Sequence, residues 1–285
     1  MAVRSPTVRQ RELGTRLREL RNERGMTVEE VAERLLCSAT KISRLETGAR
    51  RPSLRDVRDL CSLYEVEEST SVEFMTLARE AREQGWWTKY DDLKLDPYIG
   101  LEQVATAITS YTMFYFPALL QTEDYAKAII KVIAPKISPA IHQQRVEARL
   151  RRQLLLEEVD QPRYRVLLDE AVLHHRIGDA STMTAQLEKI LKLAQEAKAT
   201  VQIVPFDFGA SAGQDSNFVF LEFAEESNLS PVVFIEGLAG NQFLERRNDI
   251  ARYREAIECL RDSAMSPRDS AVRISEMKAT YETFA

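Results

Sequence analysis

The 22 residues from Thr27 to Gly48, TVEEVAERLLCSATKISRLETG, constrain the fold more than any other stretch. They read as two short helices joined by a tight turn. Thr27 caps the first helix, and Glu30 three residues on completes a capping box. Val31, Ala32 and Leu35 then share one helical face, with Ala32 small enough for a second helix to cross closely. Leu36-Cys37-Ser38 forms the turn, and Ser38 is the N-cap of the next helix. Ile42 and Leu45 point inward on that helix, while Ala39, Thr40, Lys41, Ser43 and Arg44 face out. A helix with one apolar stripe and an outer face of small polar residues and cations fits a DNA major groove. The plainer alternative is a helical hairpin with a solvated face.

The flanks argue against the plain hairpin. Upstream, Leu13, Leu17 and Leu20 mark an amphipathic helix that stops at Gly25. Downstream, Ser53 and Asp56 stand at capping-box spacing before Val57, Leu60 and Leu63, and a fifth helix spans about Ser71 to Gln84. Over about Gln10 to Glu65 the chain resembles the Xre/lambda-repressor-like helix-turn-helix family, through the Thr-led second helix, the Ser-led third helix and the run ISRLETGARRPS. The position of Arg44 on the reading helix makes it the expected base reader, flanked by Ala39, Thr40 and Ser43. The resemblance implies phosphate contacts from Arg50 and Arg51 after Gly48, joined by Thr27, Ser38 and Lys41 at the helix starts. Two residues depart from the family pattern: Val28 stands where many relatives carry Gln, and Leu36 replaces a common turn glycine.

Charge separates the chain into unlike halves. Residues 1–64 hold 14 Lys and Arg against 9 Asp and Glu, whereas the rest holds 25 against 35. A basic small domain joined to an acidic larger one fits a DNA reader with a sensor or partner domain, and fits poorly with nonspecific coating of DNA. Cys37, Cys61 and Cys259 are scattered, without a CxxC pair or a histidine at ligand spacing, so neither a disulfide nor a metal site is expected. The polar, basic N-terminus is unlike a signal peptide, and no apolar run reaches the ~18 residues of a membrane span. A cytoplasmic protein is expected.

Beyond residue 84, GWWTKYDDLKLDPYIG breaks the helical period and reads as a linker or strap over 85–100, with Trp86 and Trp87 burying against the domain that follows. Leu101, Val104, Ala105, Ile108 and Tyr111 fall at helical spacing. Thr122 caps another helix, Ser138-Pro139 starts a long charged helix through about Val159, and further helices span about 182–197, 247–261 and 266–281. Four short runs read as strands: 164–169, 201–206, 218–223 and 232–237. The expected molecule is multidomain: an all-α, five-helix helix-turn-helix domain (1–84) and an α+β domain (101–285) with a small, roughly four-stranded central sheet. PALLQTEDYAKAI, EAVLHHRIG, VQIVPF, NFVFLEF and VVFIEG occur in the order found in a domain of unknown function that follows Xre-type modules in actinobacterial regulators, and the chain is similar to the WhiJ-like proteins among them. That resemblance implies a short partner protein encoded nearby.

No catalytic constellation emerges: GxSxG, P-loop, HExxH and GxGxxG patterns are all missing. His174 and His175 are adjacent and point apart on a helix, Glu222 and Glu236 could serve acid–base chemistry only if they converge, and 206–217 is a Gly/Ser/Asp-rich loop. Two function classes follow. The first is a DNA-binding transcription regulator, homodimeric, whose C-terminal domain senses a ligand or small partner, without a cofactor. The alternative is an enzyme acting on a nucleotide or sugar through the acidic domain, localised by its helix-turn-helix.

Overall fold

Short apolar stripes closed by strong caps build the first part of the chain. The computed structural model describes residues 5–90, 96–209, 215–227, 229–237 and 240–284. It divides into two compact units, one running through Val104 and including 224–229, the other comprising 105–223 and the remainder.

In the first unit, helices α1 (Pro6–Glu23), α2 (Val28–Arg34), α3 (Ala39–Glu46), α4 (Leu54–Leu63) and α5 (Glu68–Glu80) enclose Leu13, Leu17, Val31, Ile42, Leu45, Val57, Leu60 and Phe74. The expected caps form. Thr27 and Glu30 make both bonds of the capping box, and the Ser38 and Ser53 hydroxyls accept the Lys41 and Asp56 amides. Three helices end in the same way, with a left-handed residue whose successor's N–H reaches back to the preceding turn: Gly25 after α1, Leu36 after α2 and Glu65 after α4. Only the first of these has the residue that adopts this backbone without penalty.

The strap forms a single turn, Trp86–Lys89, and then α6 (Asp96–Glu102). It belongs to the first unit, where Trp87 is buried and Trp86 packs edge-on to Trp87 and Tyr90. The expectation that this tryptophan pair buries in the following domain is therefore corrected. Residues 91–95 of the strap lie outside the described residues.

The second unit is α+β. Its sheet has six strands rather than four, β1 (Ala107–Thr112), β2 (Arg163–Asp169), β3 (Thr200–Val204), β4 (Phe218–Glu222), β5 (Val232–Gly237) and β6 (Gly240–Leu244), in the order β3-β2-β1-β4-β5-β6. β1 is central, parallel to β2 and antiparallel to β4, and β2 is parallel to β3. It occupies the stretch whose spacing suggested a helix. The helical match rested on few residues, and Ile108, Thr109, Tyr111 and Thr112 are of strand-preferring types. β6 escaped notice because GNQFL lacks apolar alternation; it is held as an edge by its hairpin with β5.

Around the sheet lie α7 (Glu123–Ile133), α8 (Pro139–Gln153), the single-turn α9 (Ala171–His174), α10 (Ala180–Gln195), α11 (Arg247–Ser263) and α12 (Pro267–Glu282). α8 ends before Val159: Leu154–Glu157 tightens to a 3-10 turn, and Pro162 restricts Gln161 before it. One sheet face packs Tyr111, Leu167, Phe218, Phe220 and Val233 on Ile250, Ile257 and Leu260 of α11. The outer edge of β3 is closed by the α11–α12 junction, where Ile203 donates to Ser270 and accepts from the Met265 amide. No helix among the described residues is long and apolar enough to cross a membrane.

Candidate nucleic-acid interface

α3 carries its chemistry in one stripe. Thr40, Ser43, Arg44 and Thr47 are exposed at spacings of three and four, while Ile42, Leu45 and Glu46 turn inward. Arg44 meets no acidic partner among the described residues, and Arg50 and Arg51 continue the exposed cationic edge beyond Gly48. Gly48 sits at φ 65°, and a Cβ there would lie 2.7 Å from Arg11 Cγ, so the turn that presents these arginines needs glycine.

Acidic groups close to this face are turned inward and neutralised. Glu46 accepts two bonds from Arg21 of α1, at 2.7 and 2.9 Å, and Arg21 also donates to the Met26 carbonyl. Donation to the Glu46 carboxylate raises the Arg21 pKa against the cost of burial, so the guanidinium stays charged. Asp56 of α4 pairs with Lys41 at 2.6 Å. Burial alone would raise the Asp56 carboxyl; bonds from Lys41 and Ser53 outweigh it and hold it low and ionised. What faces solvent along α3 is thus positive.

The height of α3 is set by α1. Gly14 lies against the end of α3 so closely that a Cβ would stand 2.6 Å from the Leu45 carbonyl oxygen and 2.7 Å from that of Glu46. Gln10 Nε2 donates to the Gly48 carbonyl at 2.7 Å, tying the following turn to the same helix. Gly14, Gln10, Arg21 and Glu46 are positioning residues that sequence reasoning passed over. Their only traces were a glycine inside an amphipathic helix and an acid beside the inward face of Ile42 and Leu45.

The expected contact residues fall into two groups. Thr40, Ser43, Arg44, Arg50 and Arg51 lie open, Ser38 is exposed at the start of α3, and Ala39 is half-buried beside it. Thr27 and Lys41 are already engaged: the Thr27 hydroxyl donates to the Glu30 carboxylate at 3.1 Å, and Lys41 holds Asp56. Glu30 is kept below the ordinary carboxyl range by the Thr27 amide and hydroxyl, so a negative charge already fills the α2 N-terminus.

In the second unit the carboxylates considered for acid–base chemistry do not converge. Glu222 lies at the end of β4 beside Ala107 and pairs with Arg254, whereas Glu236 is near the far end of β5, roughly 15 Å along the strands. Glu170 is buried and structural, accepting from the Phe206 amide and from Arg273. His175 stacks on Phe114 and His174 lies against Phe206, both histidines exposed. Residues 210–214 of the Gly/Ser-rich loop lie outside the described residues.

A family profile described as Helix-turn-helix domain matches residues 12–72, which contain α2, its turn and α3. No curated protein and no solved structure matches the chain. A second profile, described as Domain of unknown function (DUF5753), matches residues 95–276, more than half of the chain and including all six strands. The chain thus belongs to the DUF5753 family and carries a helix-turn-helix domain ahead of it.

Proposed function

We propose that this protein is a sequence-specific, Xre-type transcription regulator of the WhiJ-like kind, acting in the cytoplasm as a homodimer. The observation that carries this reading is the outer stripe of α3, where Thr40, Ser43 and Arg44 lie open while Glu46 and Asp56 are turned in and paired. Arg44 with Thr40, Ser43 and Ala39 reads base edges; Arg50 and Arg51, with Ser38, fix the register on phosphates, and Thr27 and Lys41 join them only by releasing Glu30 and Asp56. One such reader covers a small DNA surface, so two act together through the sheet domain, which senses a ligand or a small partner protein encoded nearby. Genome-wide footprinting supplies the operator. Arg44→Ala then lowers affinity for it by about 1–3 kcal/mol with little change on random DNA, whereas the double change Arg50→Ala/Arg51→Ala weakens both and flattens the salt dependence by about one to two units. Equal losses on operator and random DNA for Arg44→Ala would overturn the base-reading role.

A further inference from the structure

A cavity of about 340 Å³ opens at the amino ends of β1, β2 and β3. Strand register builds its floor: Thr109 of β1 and Thr200 of β3 stand directly on either side of Arg165 of β2. Arg163, two residues earlier and on the same sheet face, lines the rim with Gln161. Arg165 is half-buried, and its Nε is shut off from solvent with no hydrogen-bond partner among the described residues. Burial of a guanidinium nitrogen without an acceptor is costly, and a protein seldom leaves one so unless something else completes the site.

Acids around the cavity are already engaged. Glu222 at its edge pairs with Arg254 at 3.2 Å, and Glu258 of α11 takes two bonds from Arg261 at 2.8 and 2.9 Å. Desolvation and the like charges of Arg261 and Arg163 all press on Arg165, with Glu258 the one acid offsetting them. Two arginines, two hydroxyls and a cavity within the ~300–1,000 Å³ range of small-molecule sites ask for a compact anion with several acceptor oxygens.

We propose that this cavity binds a phosphate monoester, its phosphoryl oxygens held by Arg165 and Arg163 with Thr109 and Thr200 donating beside them. This gives a ligand class to the sensing role proposed above and rests on that reading only for its regulatory meaning; binding itself stands apart from it. Calorimetric titration of the full chain with inorganic phosphate, glucose 6-phosphate and glucose provides the test. Saturable binding is expected for the two phosphates and none for glucose. Arg165→Gln and the exposed-site change Arg163→Gln should each weaken it at least about tenfold, as loss of a bond to a charged group does. Thr109→Val, which suits a strand, should weaken it several-fold. Arg50→Ala/Arg51→Ala should bind glucose 6-phosphate like the parent, separating this cavity from the phosphate-facing edge of the reader. The proposal is overturned if no saturable binding occurs up to about 10 mM, or if Arg163→Gln and Thr109→Val, with unchanged circular dichroism, bind as the parent does. Binding that leaves operator affinity unaltered sustains the site and removes only the sensing role.

Discussion

Each unit of this protein holds a buried glutamate against an arginine from elsewhere in the sequence, Glu46 with Arg21 and Glu170 with Arg273, yet the two pairs are built differently. Arg21 and Glu46 are both enclosed, with side chains 11% and 5% exposed. Glu170 is as deeply buried at 5%, but its Arg273 is 41% exposed and the Phe206 amide provides a second donor. Enclosure makes the first pair all-or-none, because removing one member strands a charge with no water to receive it. The second is graded, with solvent and an amide ready to share the carboxylate. Rigidity is thereby concentrated where α1 meets α3, the element whose placement decides what the outer stripe can touch.

The two pairs can be separated spectroscopically, since both tryptophans of the chain, Trp86 and Trp87, lie in the first unit. Denaturation followed by tryptophan fluorescence reports on that unit, and far-UV circular dichroism on both. Arg21→Met should destabilise the first unit by about 3–5 kcal/mol, with most of the loss recovered by adding Glu46→Met. A loss as small as that expected for Arg273 would dissolve the contrast.

Gly14→Ala comes next, at about 1–3 kcal/mol from forcing α1 away from α3. It should also lower operator affinity more than random-DNA affinity, since the reading helix shifts; unaltered discrimination would show that Gly14 matters for packing alone.

Arg273→Met should cost about 1–2 kcal/mol, seen in circular dichroism without a change in the fluorescence transition. Burial by itself would raise the Glu170 carboxyl, but the Phe206 amide and Arg273 win and hold it below its ordinary range. The pair's contribution is therefore complete above the ordinary carboxyl value of about 4.3 and is lost as pH falls through the lower folded value. The deficit of the variant should accordingly be full at neutral pH and shrink below about pH 4; a deficit that grows in acid would reverse the assignment.

The smallest effect has the opposite sign. Leu36 is 94% exposed at φ 50°, so Leu36→Gly relieves a strained backbone while losing almost no contact, and should stabilise the first unit by about 1 kcal/mol. Any destabilisation would mean that the leucine side chain is used.

Most of the first unit could be read from the chain because its signals are local. Thr27 with Glu30, Ser38 and Ser53 each fix a helix start within a few residues, and the outward set of Thr40, Ser43 and Arg44 follows from the period alone. The contacts that place α3 could not be read that way. Arg21 and Glu46 are 25 residues apart, and Gly14 matters only because two carbonyls happen to lie above it. In the sheet, β2, β3, β4 and β5 announced themselves by apolar runs. β1 mixes hydroxyl and apolar residues that suit either period, and β6 exists only because β5 is its neighbour. The Thr109–Arg165–Thr200 row is a product of register, invisible until three distant strands are laid side by side.

That central strand also sets a schedule for biosynthesis. The residues of β1 leave the ribosome long before the partners they meet: Ile108 must wait for Tyr164 on one side and for Leu221 on the other. Translation at about 5–20 residues per second places β4 roughly 6–22 s behind β1. The five helices α1–α5, all upstream of β1, close around their own core within that interval. Throughout it β1, buried on both faces in the finished sheet, has at best half of its neighbours. A nascent chain of this protein thus carries a folded helix-turn-helix core ahead of a strand whose edge stays open, available for pairing with another chain until β4 arrives.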